Sequence, residues 1–179
     1  MKTALTLLLT FLLVGFSVTL AQDTPPAADG YLRSQRLGIN HISGVEEVTS
    51  PTRYQKALEL GAGWNRWPIY WDRVETKAGV YDWSGYDRLV SSDLAQGLSI
   101  DVILLGRPAF YAEDTRIKGL QEPIFADGTD TPSQSKKPNP NNHWATFVQK
   151  AVLRYKPGGE LAREQGWSQD KGIRIWEIW

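Results

Sequence analysis

The chain has 179 residues, 41% hydrophobic and 22% charged, and its 20 basic and 20 acidic side chains cancel, so it reads as globular, with no electrostatic footprint for nucleic acid or an anionic membrane. Cysteine is absent and histidine occurs twice, which removes disulfides, thiol nucleophiles and zinc–thiolate sites and leaves little for a histidine-based metal cluster. The surplus is aromatic, with 8 Trp, 7 Tyr and 5 Phe; so many rings fill one large core or line a surface that grips flat ligand faces.

Met1-Lys2, the apolar stretch 4–14 and the small-x-small end Thr19-Leu20-Ala21 read as a secretory signal peptide, 1–21, cleaved after Ala21. The alternative is an uncleaved anchor, but the stretch is shorter than the ~20 residues that span a bilayer. A Pro- and Ala-rich leader follows over 22–36. The expected location is secreted or periplasmic, with no stable membrane insertion after cleavage.

From position 37 short strands alternate with helices. The first strand is Leu37-Gly38-Ile39-Asn40-His41, apolar at its start and polar at its C-terminal end. Ser50 caps the first helix, Pro51 suits its first position, Tyr54, Ala57 and Leu58 form its apolar stripe, and Gly61 ends it. Trp64-Asn65-Arg66-Trp67 is the second strand, closed by Pro68. A loop of about fifteen residues precedes the second helix, where Ser84 and Asp87 match a capping box. Tyr86, Leu89, Val90 and Leu94 share one face there, and Gly97 stops the helix. The third strand is Ser99–Leu105.

A long polar loop spans 106–142, and loops of that length tend to be functional. Trp144, Phe147, Val148, Ala151, Val152 and Tyr155 keep 3,4 spacing in the third helix, which Pro157-Gly158-Gly159 ends. The fourth strand covers 173–179.

Alternating strands and amphipathic helices imply an α/β protein with a parallel sheet. An open doubly wound sheet would show a Gly-rich phosphate turn after its first strand, and Asn40-His41-Ile42-Ser43-Gly44 is not one. A (β/α)8 TIM barrel collects polar and aromatic residues at the C-terminal strand ends, where Asn40, His41, Arg66 and Arg107 fall. Such a barrel takes about 250 residues, so 37–179 reads as its N-terminal half, truncated after strand four. The other reading is a complete small α/β domain.

Asn65-Arg66-Trp67-Pro68-Ile69-Tyr70-Trp71-Asp72-Arg73-Val74-Glu75, followed by Gly79-Val80-Tyr81-Asp82-Trp83 and Asp87, resembles the second strand and following loop of retaining clan A glycoside hydrolases. These include cellulases, β-glycosidases and β-xylosidases. Ile175-Trp176-Glu177-Ile178-Trp179 resembles their fourth strand, which runs into an Asn-Glu-Pro segment carrying the acid/base carboxylate. The resemblance implies hydrolysis of O-glycosyl bonds in β-linked oligo- or polysaccharide by the full-length protein, without a cofactor. Double displacement uses two carboxyls about 5 to 5.5 Å apart. By resemblance both Glu residues lie beyond position 179, the acid/base just after Trp179, so no catalytic residue falls in this chain and it is inactive alone.

Among the residues present, the resemblance makes Arg66 an active-site support that hydrogen-bonds the nucleophile and keeps it ionised. Asn40 and His41 are candidates for sugar hydroxyls, and Trp71 and Tyr111 for stacking or contact in the substrate site. Arg107 departs from the histidine or aromatic that many clan members place near there. Glu177 lies about 13 Å below a carboxylate four positions later, so it reads as a structural carboxylate held by a neighbour such as an arginine. Tyr81, Trp83 and His143 read as structural, and Asp72, Arg73 and Glu75 as a solvated loop network. The alternatives are a non-catalytic carbohydrate-binding protein on the same scaffold, or a structural domain of a secreted assembly.

Overall fold

Along 64–70 the odd-numbered side chains are buried and the even-numbered ones half-exposed, the period of a strand that offers one face to a core. The computed structural model describes residues 34–46, 50–111 and 122–178; the expected signal peptide and most of the expected leader lie outside them. Within these residues the chain forms β1 (Ser34–Asn40), α1 (Pro51–Glu59), β2 (Ala62–Tyr70), α2 (Trp71–Val74) and the short hairpin strands β3 (Glu75–Lys77) and β4 (Val80–Tyr81). There follow α3 (Ser84–Ala95), β5 (Ser99–Leu105), α4 (His143–Tyr155), α5 (Glu160–Glu164) and β6 (Ile175–Ile178). Four strands make one curled sheet in the order β1-β2-β5-β6, every neighbouring pair parallel. None of the described helices is long and apolar enough to cross a membrane.

Helices cover one face. Trp67 and Ile69 of β2 and Ile100, Val102 and Leu104 of β5 pack with Tyr86, Leu89 and Val90 of α3 and with Phe147, Ala151 and Tyr155 of α4. The apolar spacings of both helices therefore face the sheet, and Gly61 and Gly97 take left-handed φ values of 83° and 69° just past α1 and α3, where a side chain would be strained. A smaller cluster of Ile42, Tyr54, Ala57, Ala62 and Leu98 fills the space under α1.

Several elements differ from expectation. β1 starts at Ser34, inside the expected leader, and stops at Asn40, because His41 turns away with a φ of 56°. β2 runs through Pro68 to Tyr70. The Arg66 carbonyl accepts from His41 N, so the polar groups of Arg66 and, two residues on, the hydrogen-less nitrogen of Pro68 point toward β1, past its last residue, where no ladder bond is needed. The expected loop after β2 instead holds α2 and the β3–β4 hairpin. The capping box at Ser84 and Asp87 does not form. Trp83 occupies the cap position, and Ser84 N donates to Asp82. The Asp87 carboxylate is taken by Arg154, at 2.7 and 2.6 Å, and by the Tyr155 hydroxyl at 2.9 Å. The helix α5 had no counterpart in the sequence reading.

One buried carboxylate ties the N-terminal elements together. Asp93, near the end of α3, has no solvent exposure. Its Oδ1 accepts from Ser43 Oγ at 2.8 Å and Tyr54 Oη at 2.6 Å, and its Oδ2 accepts from Asn65 Nδ2 and Trp67 Nε1, both at 2.8 Å. Asn65 also donates to Ser43 and accepts from Ile42 N. The loop after β1, α1, β2 and α3 thus meet at one group, satisfied without a cation. Burial raises the Asp93 carboxyl above its ordinary value, against the lowering effect of these hydrogen bonds.

Removing that carboxylate orphans four buried donors, so Asp93→Ala is expected to cost about 3 to 5 kcal/mol in urea unfolding. Asp93→Asn costs less, because its amide can donate to the two hydroxyls while its oxygen serves Asn65 and Trp67. The sign of the pH effect follows from the raised folded-state value. Asp93's contribution is full below the unfolded carboxyl value and declines as pH rises through the folded one. The Asp93→Asn variant should lose that decline, as unfolding curves collected across the acid range will show.

Candidate functional site

The helix-free face of the sheet carries the polar residues. Asn40 pairs with Arg66, and Arg66 with Asp101, in the strand register; paired residues of parallel strands point to the same side. Glu177 of β6 stands opposite Ile103, one pleat further along. Asn40, Arg66, Asp101 and Glu177 therefore form a band across β1, β2, β5 and β6, opposite the apolar core. His41, one residue beyond β1, is exposed at the rim, where Arg53 Nη2 donates to its carbonyl at 2.6 Å.

Arg66 is held by a fork. Its Nε and Nη2 donate to the two oxygens of Glu177 at 2.6 and 2.7 Å, and Asp101 Oδ2 lies 3.7 Å from Nε. Bidentate pairing fixes the guanidinium plane, and Glu177 raises Arg66 further above its ordinary value. Glu177 is thus the arginine-held carboxylate that alternation along the strand implied. Asp101 was not anticipated. Burial first, and then the neighbouring Glu177 charge, raise its carboxyl, while Arg66 acts in the opposite sense. Among the described residues its Oδ1 is the one buried side-chain polar atom with no hydrogen-bond partner.

The two aromatic candidates lie elsewhere. Trp71 is 1% exposed, with Tyr111, Trp144 and Phe147 rings around it at 5.4 to 5.6 Å. Tyr111 is packed between Trp71 and His143, whose ring stacks on it at 4.7 Å. Neither ring has an open face for a sugar, which corrects both assignments. What draws them inward is Glu75, itself 1% exposed and not part of a solvated loop network. Its carboxylate accepts from Trp71 Nε1, from Tyr111 Oη at 2.8 Å and from Gly79 N at 2.7 Å. Burial, then the Glu75 hydrogen bond, raise the Tyr111 hydroxyl above its ordinary value. Tyr81 and Trp83 stack at 5.6 Å and Trp83 continues onto Phe147 and Tyr155, the structural role expected of them. Arg107 is exposed just after β5.

The structure therefore brings Asn40 and Arg66 together, sets His41 beside them at the rim, and places Trp71 and Tyr111 in a separate buried cluster. Glu75, four residues after Trp71, carries an i, i+4 signal that could have disclosed the indole–carboxylate bond. Asp101 sits two residues before Ile103 in an otherwise apolar strand, and a lone acid on that side of the pleat is the corresponding signal. Among the described residues no group of three or more His, Cys, Asp or Glu is arranged to hold a metal ion. Neither a protein-family model nor a curated protein matches this sequence.

The two carboxylates differ in what depends on them. Glu75→Ala orphans buried donors and opens a cavity, and should cost about 3 to 5 kcal/mol. Glu177→Ala removes a half-exposed pair and should cost about 1 kcal/mol. Urea midpoints of the two variants should rank in that order.

Proposed function

We propose that this chain supplies one half of a (β/α)8-barrel glycosidase that hydrolyses O-glycosyl bonds in β-linked carbohydrate by double displacement. The observation that carries the reading is the band of Asn40, Arg66, Asp101 and Glu177 on the helix-free face, in the half of β2 that resembles the clan A strand. Parallel sheets are commonly covered on both faces, and Ile175 of β6, in register with Asp101 on this face, is 43% exposed, which suits further strands closing over this side.

In this reading Arg66 meets the nucleophile carboxylate from below. Glu177 occupies Nε and Nη2, so Nη1 is the nitrogen outside the fork that can donate to a second acceptor. A fixed donor of that kind stabilises the anion that attacks the anomeric carbon. Glu177 spends both oxygens on Arg66, which fits a supporting part and not that of proton donor. Asn40 and His41 remain candidates for sugar hydroxyls, since both are exposed beside Arg66. Trp71 and Tyr111 act on substrate only indirectly, by holding the loop after β2.

The test is expression with the downstream sequence that the proposal requires, followed by assay on a panel of 4-nitrophenyl β-glycosides. Cleavage is expected with retention at the anomeric carbon by proton NMR. Arg66→Ala should lower kcat by about 100-fold or more while the fold is kept. Glycan binding without cleavage would favour the non-catalytic alternative, and the absence of both would overturn the carbohydrate reading.

A further inference from the structure

Two carboxyls converge on one nitrogen of the helix-free face. Glu177 Oε1 lies 2.6 Å and Asp101 Oδ2 3.7 Å from Arg66 Nε, which puts the two acids within the few ångströms over which like charges oppose each other's ionisation. From β2 the charged group facing Asp101 is Arg66, and from β6 it is Glu177. On β5 itself the residues two positions away are Ser99 and Ile103. β1, which does not neighbour β5, contributes the neutral Asn40 to the band, with Arg36 four residues earlier and His41 beyond it at the rim. At this point of the face one cation answers two acids.

Geometry decides which acid keeps its charge. Both Glu177 oxygens accept from Arg66, at 2.6 and 2.7 Å, the arrangement of an ionised carboxylate. Asp101 has no such fork. Its Oδ2 stands beyond hydrogen-bond range of Nε, and its Oδ1 is buried without a partner. As an anion it would leave charge on an oxygen that meets no donor, the costlier form of a buried polar atom. A proton removes that charge and makes Asp101 a donor, and a Glu177 oxygen that has accepted one N–H retains a lone pair to receive it. Burial and then the neighbouring Glu177 raise the Asp101 carboxyl, which acts in the same sense.

We infer that Asp101 and Glu177 hold one proton between them, resident on Asp101, and that Asp101 is thereby a positioning residue for Arg66. With the proton in place Glu177 is the single anion at the guanidinium, the fork is kept, and Nη1 stays outside it. When the proton passes to water, a second anion 3.7 Å from Nε competes for the guanidinium. The band then gains a negative charge, which opposes ionisation of a further carboxylate beside it. The catalytic meaning rests on the proposed hydrolysis, in which that further carboxylate is the nucleophile; the shared proton itself does not.

Carboxyl ¹³C and arginine side-chain ¹⁵N NMR of the full chain, followed across pH, test this without any substrate. The Asp101 carboxyl should titrate above the ordinary aspartate range. The Arg66 Nε resonance should follow the same step, a response that a merely structural carboxyl would not give. Asp101→Asn keeps a donor for Glu177 and should remove that step from the Arg66 resonance. Glu177→Gln should lower the Asp101 midpoint, because Arg66 then has Asp101 as the anion to answer. An Asp101 midpoint within or below the ordinary range in the unaltered chain, which needs no variant to fold, would overturn the inference. So would an Arg66 resonance blind to the step, or an Asp101 midpoint unmoved by Glu177→Gln. An ordinary Asp101 titration in a protein that cleaves glycosides once extended downstream defeats this inference alone, and the expected titration without cleavage defeats the carbohydrate reading alone.

Discussion

The Asp93 carboxylate is the constraint on which the N-terminal part of the fold depends. A bare carboxylate is among the costliest groups to bury, and here it has no cation within its hydrogen-bond shell, only two hydroxyls, one amide and one indole. Each donor comes from a different place: Ser43 from the loop after β1, Tyr54 from α1, and Asn65 and Trp67 from β2. A carboxylate that must collect four donors tolerates few alternative arrangements of those elements. The arrangement it enforces then places Ile42 N on Asn65, which fixes the chain one residue after His41 and so fixes the rim.

The end of β1 has a second cause, and it lies on another strand. If β1 continued in register, the His41 carbonyl would face the nitrogen of Pro68, which has no hydrogen to give. The chain turns instead, with His41 in the left-handed region, and the Arg53 guanidinium from α1 donates to the stranded carbonyl. Pro68 thus ends its neighbour and not its own strand. This bears on the proposed function as well as on folding, because the turn leaves His41 exposed at the rim and Asn40 in register with Arg66.

Periodicity made part of this legible in the sequence. β5 has the expected bounds because an apolar run between Gly97 and Gly106 admits few others, and α4 follows its 3,4 stripe because all of Phe147, Ala151 and Tyr155 face one sheet. The failures at Asp87, Glu75, Trp71 and Arg66 share a physical reason, since each turns on a partner distant in sequence. Asp87 looks like a cap residue until Arg154, 67 positions away, claims it. Glu75 looks solvated until Tyr111, 36 positions away, closes over it. Trp71 looks like a platform beside a rim for the same reason, because the rings that bury it come from α4 and from the turn after β5. Arg66 was legible as a strand-end cation, but its fork with Glu177 spans 111 positions, and no local pattern encodes it.

The two sides of the sheet obey different rules, and the difference separates stability from function. In the apolar core Asp93 and Glu75 each have both oxygens engaged, and that satisfaction is what makes their burial tolerable. On the helix-free side Asp101 keeps a buried Oδ1 with no partner, a defect worth about 1 to 3 kcal/mol, next to a second carboxylate and a single arginine. A band of one cation and two acids gains little stability from its own pairing at partial exposure. Its worth lies in orientation, since the fork holds the guanidinium plane in one attitude while leaving Nη1 outside it. An unsatisfied acid and an oriented cation thus share the face on which the proposed hydrolysis sets its nucleophile, while among the described residues the other face leaves no buried side-chain polar atom without a partner. The helix-free face is therefore the one on which the proposed hydrolysis rests, and the core beneath it is what holds that face still.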